Sequence, residues 1–237
     1  MRVYLIETSD DTLEGGAGAG EDVGLRTRNG SIVDANSDDS LAANVIGQSI
    51  YIDAHGGSIG QSSNDLDIDS RYNIEVGSID DVSLEASDSI FLTEVHDELY
   101  LTLAHTYDHD IRLTVREDGI VAGEEGTADF ILKASGMARF AQNNNTLPNR
   151  QQDALRNVPH GQVFAESGWV QIRAGDDIDL DSNSEIFAAE GIEIYGDARV
   201  FDNGPFLADT DVGFGTNIVL RGKLIAGAVV DPVGQDS

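Results

Sequence analysis

The chain has no cysteine. Disulfide scaffolds and thiolate chemistry, catalytic or metal-binding, are excluded with it. Positive charge is scarce: 14 basic residues face 43 acids, the formal net charge is −29, and Lys133 and Lys223 are the only lysines. A field of that sign repels phosphate backbones and anionic headgroups, so nucleic acid and lipid surfaces are poor partners, whereas cations and neutral or basic surfaces are suitable ones. No apolar run approaches the ~20 residues that a membrane helix needs, and no membrane insertion is expected. Proline is rare, at 4 in 237 residues, and Trp169 is the single tryptophan. Helical periodicity is almost absent too.

What fills the chain instead is period-two alternation. It runs through "SIYIDA" at 49–54, "DLDIDS" at 65–70, "VSLEA" at 82–86, "SIFLTEV" at 89–95, "LYLTL" at 99–103, "IRLTV" at 111–115, "WVQIRA" at 169–174, "IDLDS" at 178–182 and "IEIYG" at 192–196. Between these segments lie clusters of Gly, Asp, Asn and Ser, the residues of turns. Hydrophobic residues make up 40% of the chain, enough for a sizeable core. Apolar anchors recur at Ile50, Ile59, Leu66, Ile74, Val82, Ile90 and Leu99, seven to nine residues apart. Such spacing fits either β-sandwich repeats made of hairpins or a solenoid of stacked coils.

Internal repetition favours the solenoid. "VYLIETSDDTL" at 3–13 resembles "IFLTEVHDEL" at 90–99, and "VGLRTRNGSIV" at 23–33 resembles "IRLTVREDGIV" at 111–121, at offsets of 87 and 88 residues. A shared offset predicts a super-repeat of whole coils, with Val23 and Leu25 in places equivalent to Ile111 and Leu113. The expected fold is therefore all-β: an elongated β-solenoid, a right-handed parallel β-helix, over 1–237 as a single segment. The opening "MRVYLIETSDD" lacks the apolar core of a signal peptide, and we read the segment as a fragment of a longer repeat protein. Residues 138–161, "ARFAQNNNTLPNRQQDALRNVPHG", break the rhythm and read as a loop insertion; within them Thr146 can cap a short helix with Pro148 in its first turn.

Two near-copies, "NDLDIDS" at 64–70 and "DDIDLDS" at 176–182, carry alternating aspartates. On a strand, residues i and i+2 share a face ~6.7 Å apart. Leu66 and Ile68 then point inward with Asp65, Asp67 and Asp69 outward; Ile178 and Leu180 point inward with Asp177, Asp179 and Asp181 outward. Ile50, Ile90, Leu92, Ile192 and Ile194 are expected inward by the same parity. Two carboxylates on neighbouring strands ~4.8 Å apart repel by roughly 0.9 kcal/mol even in water. The rows therefore read either as a solvated acidic face or as ligands for calcium, whose shell of six to eight oxygens would need help from neighbouring turns.

Other features carry less. "GGAGAGEDV" at 15–23 has glycine where a calcium nonapeptide needs aspartate, and it lacks the Lys and Ser/Thr of a phosphate loop; it reads as a turn. "HTYDHD" at 105–110 reads as a polar turn rather than a transition-metal site, and His55, His96 and His160 read as turns. If Val170 and Ile172 face the core, Trp169, Gln171 and Arg173 face out, where an indole can stack on a sugar ring, so Trp169 is the candidate ligand-binding residue. No nucleophile elbow is present, and carboxylates spread along the whole chain look like surface design rather than one catalytic pair, so the chain is read as not an enzyme.

The segments "GGSIGQSSNDLDID" at 56–69, "SIFLTEVHDELYL" at 89–101, "IRLTVREDG" at 111–119, "SEIFAAEGIEIYGD" at 184–197 and "DVGFGTNIVLRGKLIAG" at 211–227 resemble the repeats of giant bacterial surface proteins, the filamentous-haemagglutinin-like adhesins and LEPR-XLL-type proteins. The resemblance implies a secreted or cell-surface, β-helical segment with a structural or adhesive role and no catalytic residue. The expected partners are flanking repeats, neighbouring protomers and surface glycans. The alternative is a carbohydrate-binding or polysaccharide-degrading β-helix, which an exposed aromatic platform beside carboxylates would favour.

Overall fold

The computed structural model describes residues 1–7, 23–36, 42–47, 49–70, 82–96, 98–116, 128–133, 161–199, 207–208 and 216–227. Among them there is no helix; the regular structure is strand throughout. The expected insertion at 138–161, with its capped helix, falls outside these residues except for Gly161.

Two large sheets dominate. The first has seven strands in the order Gly191–Tyr195, Trp169–Ala174, Ile111–Val115, Ile90–Glu94, Leu66–Ser70, Val45–Gly47 and Ile6–Glu7. The second has ten and begins with Val23–Thr27, Ile50–Ala54, Val82–Ala86 and Leu99–Thr106. Beyond Leu99–Thr106 it divides into two shorter files. Phe130–Leu132 pairs with the first part of that strand and continues to Ile178–Leu180 and Ile218–Leu220. Gln162–Ala165 pairs with the second part and continues to Glu185–Ala188 and Lys223–Ala226. Pairing within both sheets is parallel, and among the described strands of these two sheets the chain alternates between them from Ile6 to Val115; after that, each visit to the second sheet supplies two strands, one to each file. This arrangement is consistent with a β-helix-like fold. It departs from the hairpins of a β-sandwich: among the described strand pairs only Ala198–Arg199 with Leu207–Ala208 is antiparallel.

Parallel neighbours in register stack like on like, which is why the β-branched and leucine residues fall into ladders. On the second sheet Ile50, Val82, Leu101, Leu132, Leu180 and Leu220 form one inner rung after another. Beside them Ile52, Leu84, Ala104, Val163, Ile186 and Leu224 form a second ladder. On the first sheet Ile90, Ile111, Val170 and Ile192 do the same, as do Leu66, Leu92, Leu113, Ile172 and Ile194. Apart from Leu220 and Leu224, which are exposed at the end of their ladders, these residues belong to a single apolar core, to which Ile192 and Ile194 add as partly buried members. Every residue expected inward from parity is therefore in the core or packed on it.

Register breaks once between Val82–Ala86 and Leu99–Thr106, where Leu101 pairs Val82 but Leu103 pairs Ser83. The extra residue is Thr102, fully buried, whose hydroxyl meets Val82 O at 3.1 Å and Ser83 Oγ at 2.7 Å. Its carbonyl accepts from Gly161 N at 2.8 Å. The division of the sheet thus starts at this bulge.

Three expectations are corrected. The 88-residue super-repeat fails as whole coils: Val23–Thr27 stacks on Ile50–Ala54 in the second sheet, while Ile111–Val115 lies in the first. The matching letters reflect the alternation common to all these strands, not equivalent places. The row Asp65, Asp67, Asp69 takes the face opposite Leu66 and Ile68, but it is not wet: exposures are 0%, 3% and 7%. For Asp65 the cause is the cover of neighbouring side chains described below. His105 lies within the Leu99–Thr106 strand, not in a turn, and is buried.

Candidate binding groove

Parity places Trp169, Gln171 and Arg173 on the outer face of the first sheet, because Val170, Ile172 and Ala174 are in the core. Register then decides their neighbours. Gln171 stands between Arg112 and Glu193, and Arg112 stands beside Phe91, so Phe91, Arg112, Gln171 and Glu193 form one row across four strands. With strands ~4.8 Å apart, that row is about 14 Å long. Together with Asp110, Ile111 and Trp169 these residues line an open groove of about 250 Å³.

Each member is held. Trp169 is 43% exposed, and its cross-strand partner is Gly191. A Cβ at 191 would run into the six-membered part of the indole, so the ring lies over a backbone with no side chain beneath it. The Trp169 N–H donates to Asp110 Oδ1 at 2.9 Å, fixing the start of its strand. Gln171 Nε2 donates to Glu193 Oε2 at 2.7 Å. The Arg112 guanidinium lies 4.8 Å from the Phe91 ring centroid, a cation–π contact, and donates to Ser62 O at 3.1 Å. It also forms an ion pair with Asp65, which accepts a further bond from Thr93 Oγ1 at 3.1 Å. Burial pushes the Arg173 guanidinium below its ordinary value, with Arg112 nearby adding to the shift.

Asp65 thus braces the arginine of the groove. The two aspartate rows are not brought together: Asp67 and Asp69 lie on a first-sheet strand that Asp65 immediately precedes, while Asp177, Asp179 and Asp181 lie on or beside a second-sheet strand. Asp177 Oδ1 accepts from Asn217 N at 2.5 Å, and Asp179 pairs with Arg221. Asp129 stands beside them, its carboxyl raised by burial and by Asp177 and Asp179. Among the described residues, no group of three His, Asp or Glu side chains has an arrangement that would hold a metal ion.

A second polar cluster lies on the outer face of the second sheet, where Asp53, Glu85 and His105 are successive rungs. Arg26 pairs with Asp53 at 3.0 Å, the Tyr107 hydroxyl donates to Glu85 Oε1 at 2.9 Å, and His105 Nε2 lies 2.9 Å from Glu166 Oε1. Burial raises the Glu85 carboxyl, with Asp53 adding to the shift. Aromatic rings follow along the same file, Phe164 stacking on Phe187 at 4.5 Å.

Sequence reasoning found Trp169, Gln171 and Arg173 on the outer face. It missed Phe91, Asp110, Arg112 and Glu193, because only cross-strand register brings them alongside. Comparison with family models, with curated proteins and with solved structures gave no match.

Proposed function

We propose that the chain is a structural and adhesive segment of a secreted or cell-surface bacterial repeat protein, built as a right-handed parallel β-helix. The carrying observation is the state of the last rungs. Ile218, Leu220 and Leu224 continue the inner ladders of Ile178, Leu180 and Ile186 in register. Yet they are 45%, 47% and 41% exposed, whereas the preceding rungs are fully buried. Inner-ladder residues left open at a parallel edge suit the addition of another coil, from flanking repeats or a neighbouring protomer. In this reading backbone hydrogen bonds carry load along the stack, and the surplus of acids keeps the surface soluble. Calcium is a suitable counter-ion for that surplus.

Small-angle scattering tests the shape and cell fractionation tests the place. The proposal expects a rod of constant cross-section, and recovery of the protein with the cell surface or medium by an antibody to the chain. A compact particle, or a protein confined to the cytosol, overturns it.

A further inference from the structure

We propose that the groove on the outer face of the first sheet binds a neutral pyranose, with the Trp169 indole as its stacking platform. This inference stands on the groove alone and does not depend on the fibre reading.

The indole is the first argument. A tryptophan at an outer sheet position could fold over an edge to bury itself, yet Trp169 keeps 43% of its surface in water. Gly191 beneath it removes the side chain that would otherwise hold the ring off the sheet. One face is thereby seated on backbone and the other is offered to solvent. A pyranose presents an apolar face of C–H groups to such a platform, and its hydroxyls project around the rim.

The rim groups fit those hydroxyls. Asp110 and Glu193 supply carboxylate oxygens that accept from sugar O–H groups. Arg112 supplies donors to sugar oxygens, and its position is set by Phe91 on one side and by Asp65 and Ser62 on the other. Gln171, held by Glu193 at 2.7 Å, has a carbonyl that accepts and a second N–H that donates. Aromatic and polar groups converging on a groove of about 250 Å³ give an amphipathic ligand both kinds of contact. A purely apolar ligand would strip water from Arg112, Gln171 and Glu193 without replacing it.

Charge selects among sugars. Among the described residues that line the groove the cation is Arg112, already paired with Asp65, while Asp110 and Glu193 add negative charge at the rim. The chain carries −29 overall. Uronates, sulfated sugars and phosphosugars would approach against that field, whereas a neutral ring would not.

Trp169 is the chain's one tryptophan, so its emission reads the groove directly. The probes are cellohexaose, laminarihexaose, mannohexaose and maltohexaose, with hexagalacturonate and hexalysine as charged comparators. At least one neutral hexaose should change the emission saturably and independently of salt, and hexagalacturonate should not. Calorimetry with that hexaose should show binding weakened roughly tenfold or more in Trp169→Ala, the range for loss of an aromatic contact. Glu193→Gln, at the groove rim, should weaken it several-fold; circular dichroism of both variants checks that the sheets are intact. No response to any neutral hexaose at tens of millimolar would overturn the proposal. So would binding of hexagalacturonate as tight as that of the best neutral sugar, unchanged affinity in folded Trp169→Ala, or a response confined to hexalysine and abolished by salt.

Discussion

Glu94 and Ser70 meet on the inner side of the first sheet, on adjacent strands. Parity puts Glu94 on the core side: its cross-strand partners are Ile68 and Val115, both in the core. Ser70 turns its N–H and hydroxyl toward the carboxyl, at 3.1 Å and 2.5 Å from Oε2, and His96 N–H reaches Oε1 at 3.4 Å. Burial holds the carboxyl well above its ordinary value of 4.5, despite these bonds, and Asp69 adds to the rise.

The sign of the resulting pH dependence follows. Folded Glu94 keeps its proton to higher pH than the unfolded chain does, so its contribution is fully present below the ordinary glutamate range. It is lost as pH rises from there through the raised folded value. Glu94→Gln keeps the shape without the titration. Urea midpoints across acid to neutral pH should show wild type losing ground to Glu94→Gln as pH rises. Parallel curves for the two proteins would mean that Glu94 titrates as it does in water.

Alternation made Glu94 legible in one sense. Ile90 and Leu92 inward require residue 94 inward as well, and the strand from Leu66 to Ser70 follows the same logic. Parity along one strand is local, set by sterics of neighbouring residues, and the sequence carries it. Burial of the opposite face is not local. Asp67 reads as wet because nothing within its own strand covers it, and Asp65 needs Arg112, which lies on a strand two places away in the first sheet. The same limit hid the groove: Trp169 was visible, but Phe91 and Glu193 are far from it in sequence. The short second-sheet strands Phe130–Leu132 and Glu185–Ala188 offered too few residues for a period to show, and took their places from pairing with Leu99–Thr106 and with Gln162–Ala165.

The Asp65–Arg112 pair should behave as a structural ion pair. Asp65 is fully buried and Arg112 mostly so. Removing one partner leaves a charge with its solvation lost, and such losses run to about 3–5 kcal/mol. Asp65→Ala should therefore lower stability by that order in denaturant titrations, equally with calcium or with chelator present. Full suppression of the loss by chelating wild type would instead make Asp65 a calcium ligand.

Thr102 should tolerate shape-preserving change poorly. Its hydroxyl is the partner of Ser83 Oγ and of Val82 O in a buried bulge. Thr102→Val leaves those groups unsatisfied at a cost of about 1–3 kcal/mol. Deleting Thr102 removes the bulge without reversing parity: Leu101, Leu103 and Ala104 would meet Val82, Ser83 and Leu84 in plain alternation, with Ala104 still inward and His105 still outward. The substitution should fold with a lowered melting point; the deletion should keep the sheet signal in circular dichroism but also lose stability, because it closes the gap at which Phe130–Leu132 and Gln162–Ala165 part. A deletion as stable as wild type would show that the bulge is incidental.

Gly191 is the test of how the indole is seated. A methyl group at 191 meets the outer carbons of a side chain that can swing, rather than backbone, so the ring moves and the sheet stays. No positive φ is recorded for Gly191, so alanine fits its backbone without left-handed strain. The change in stability should stay within about 1 kcal/mol. The spectroscopic change should be larger: lifted from the backbone, the Trp169 ring gains water on its second face, its emission shifts to the red and acrylamide quenches it more efficiently. Gly191→Ala with unaltered emission and quenching would place the indole elsewhere than over residue 191. A variant that fails to fold would show that the ring cannot move, and that the groove floor is fixed by packing rather than by the missing side chain.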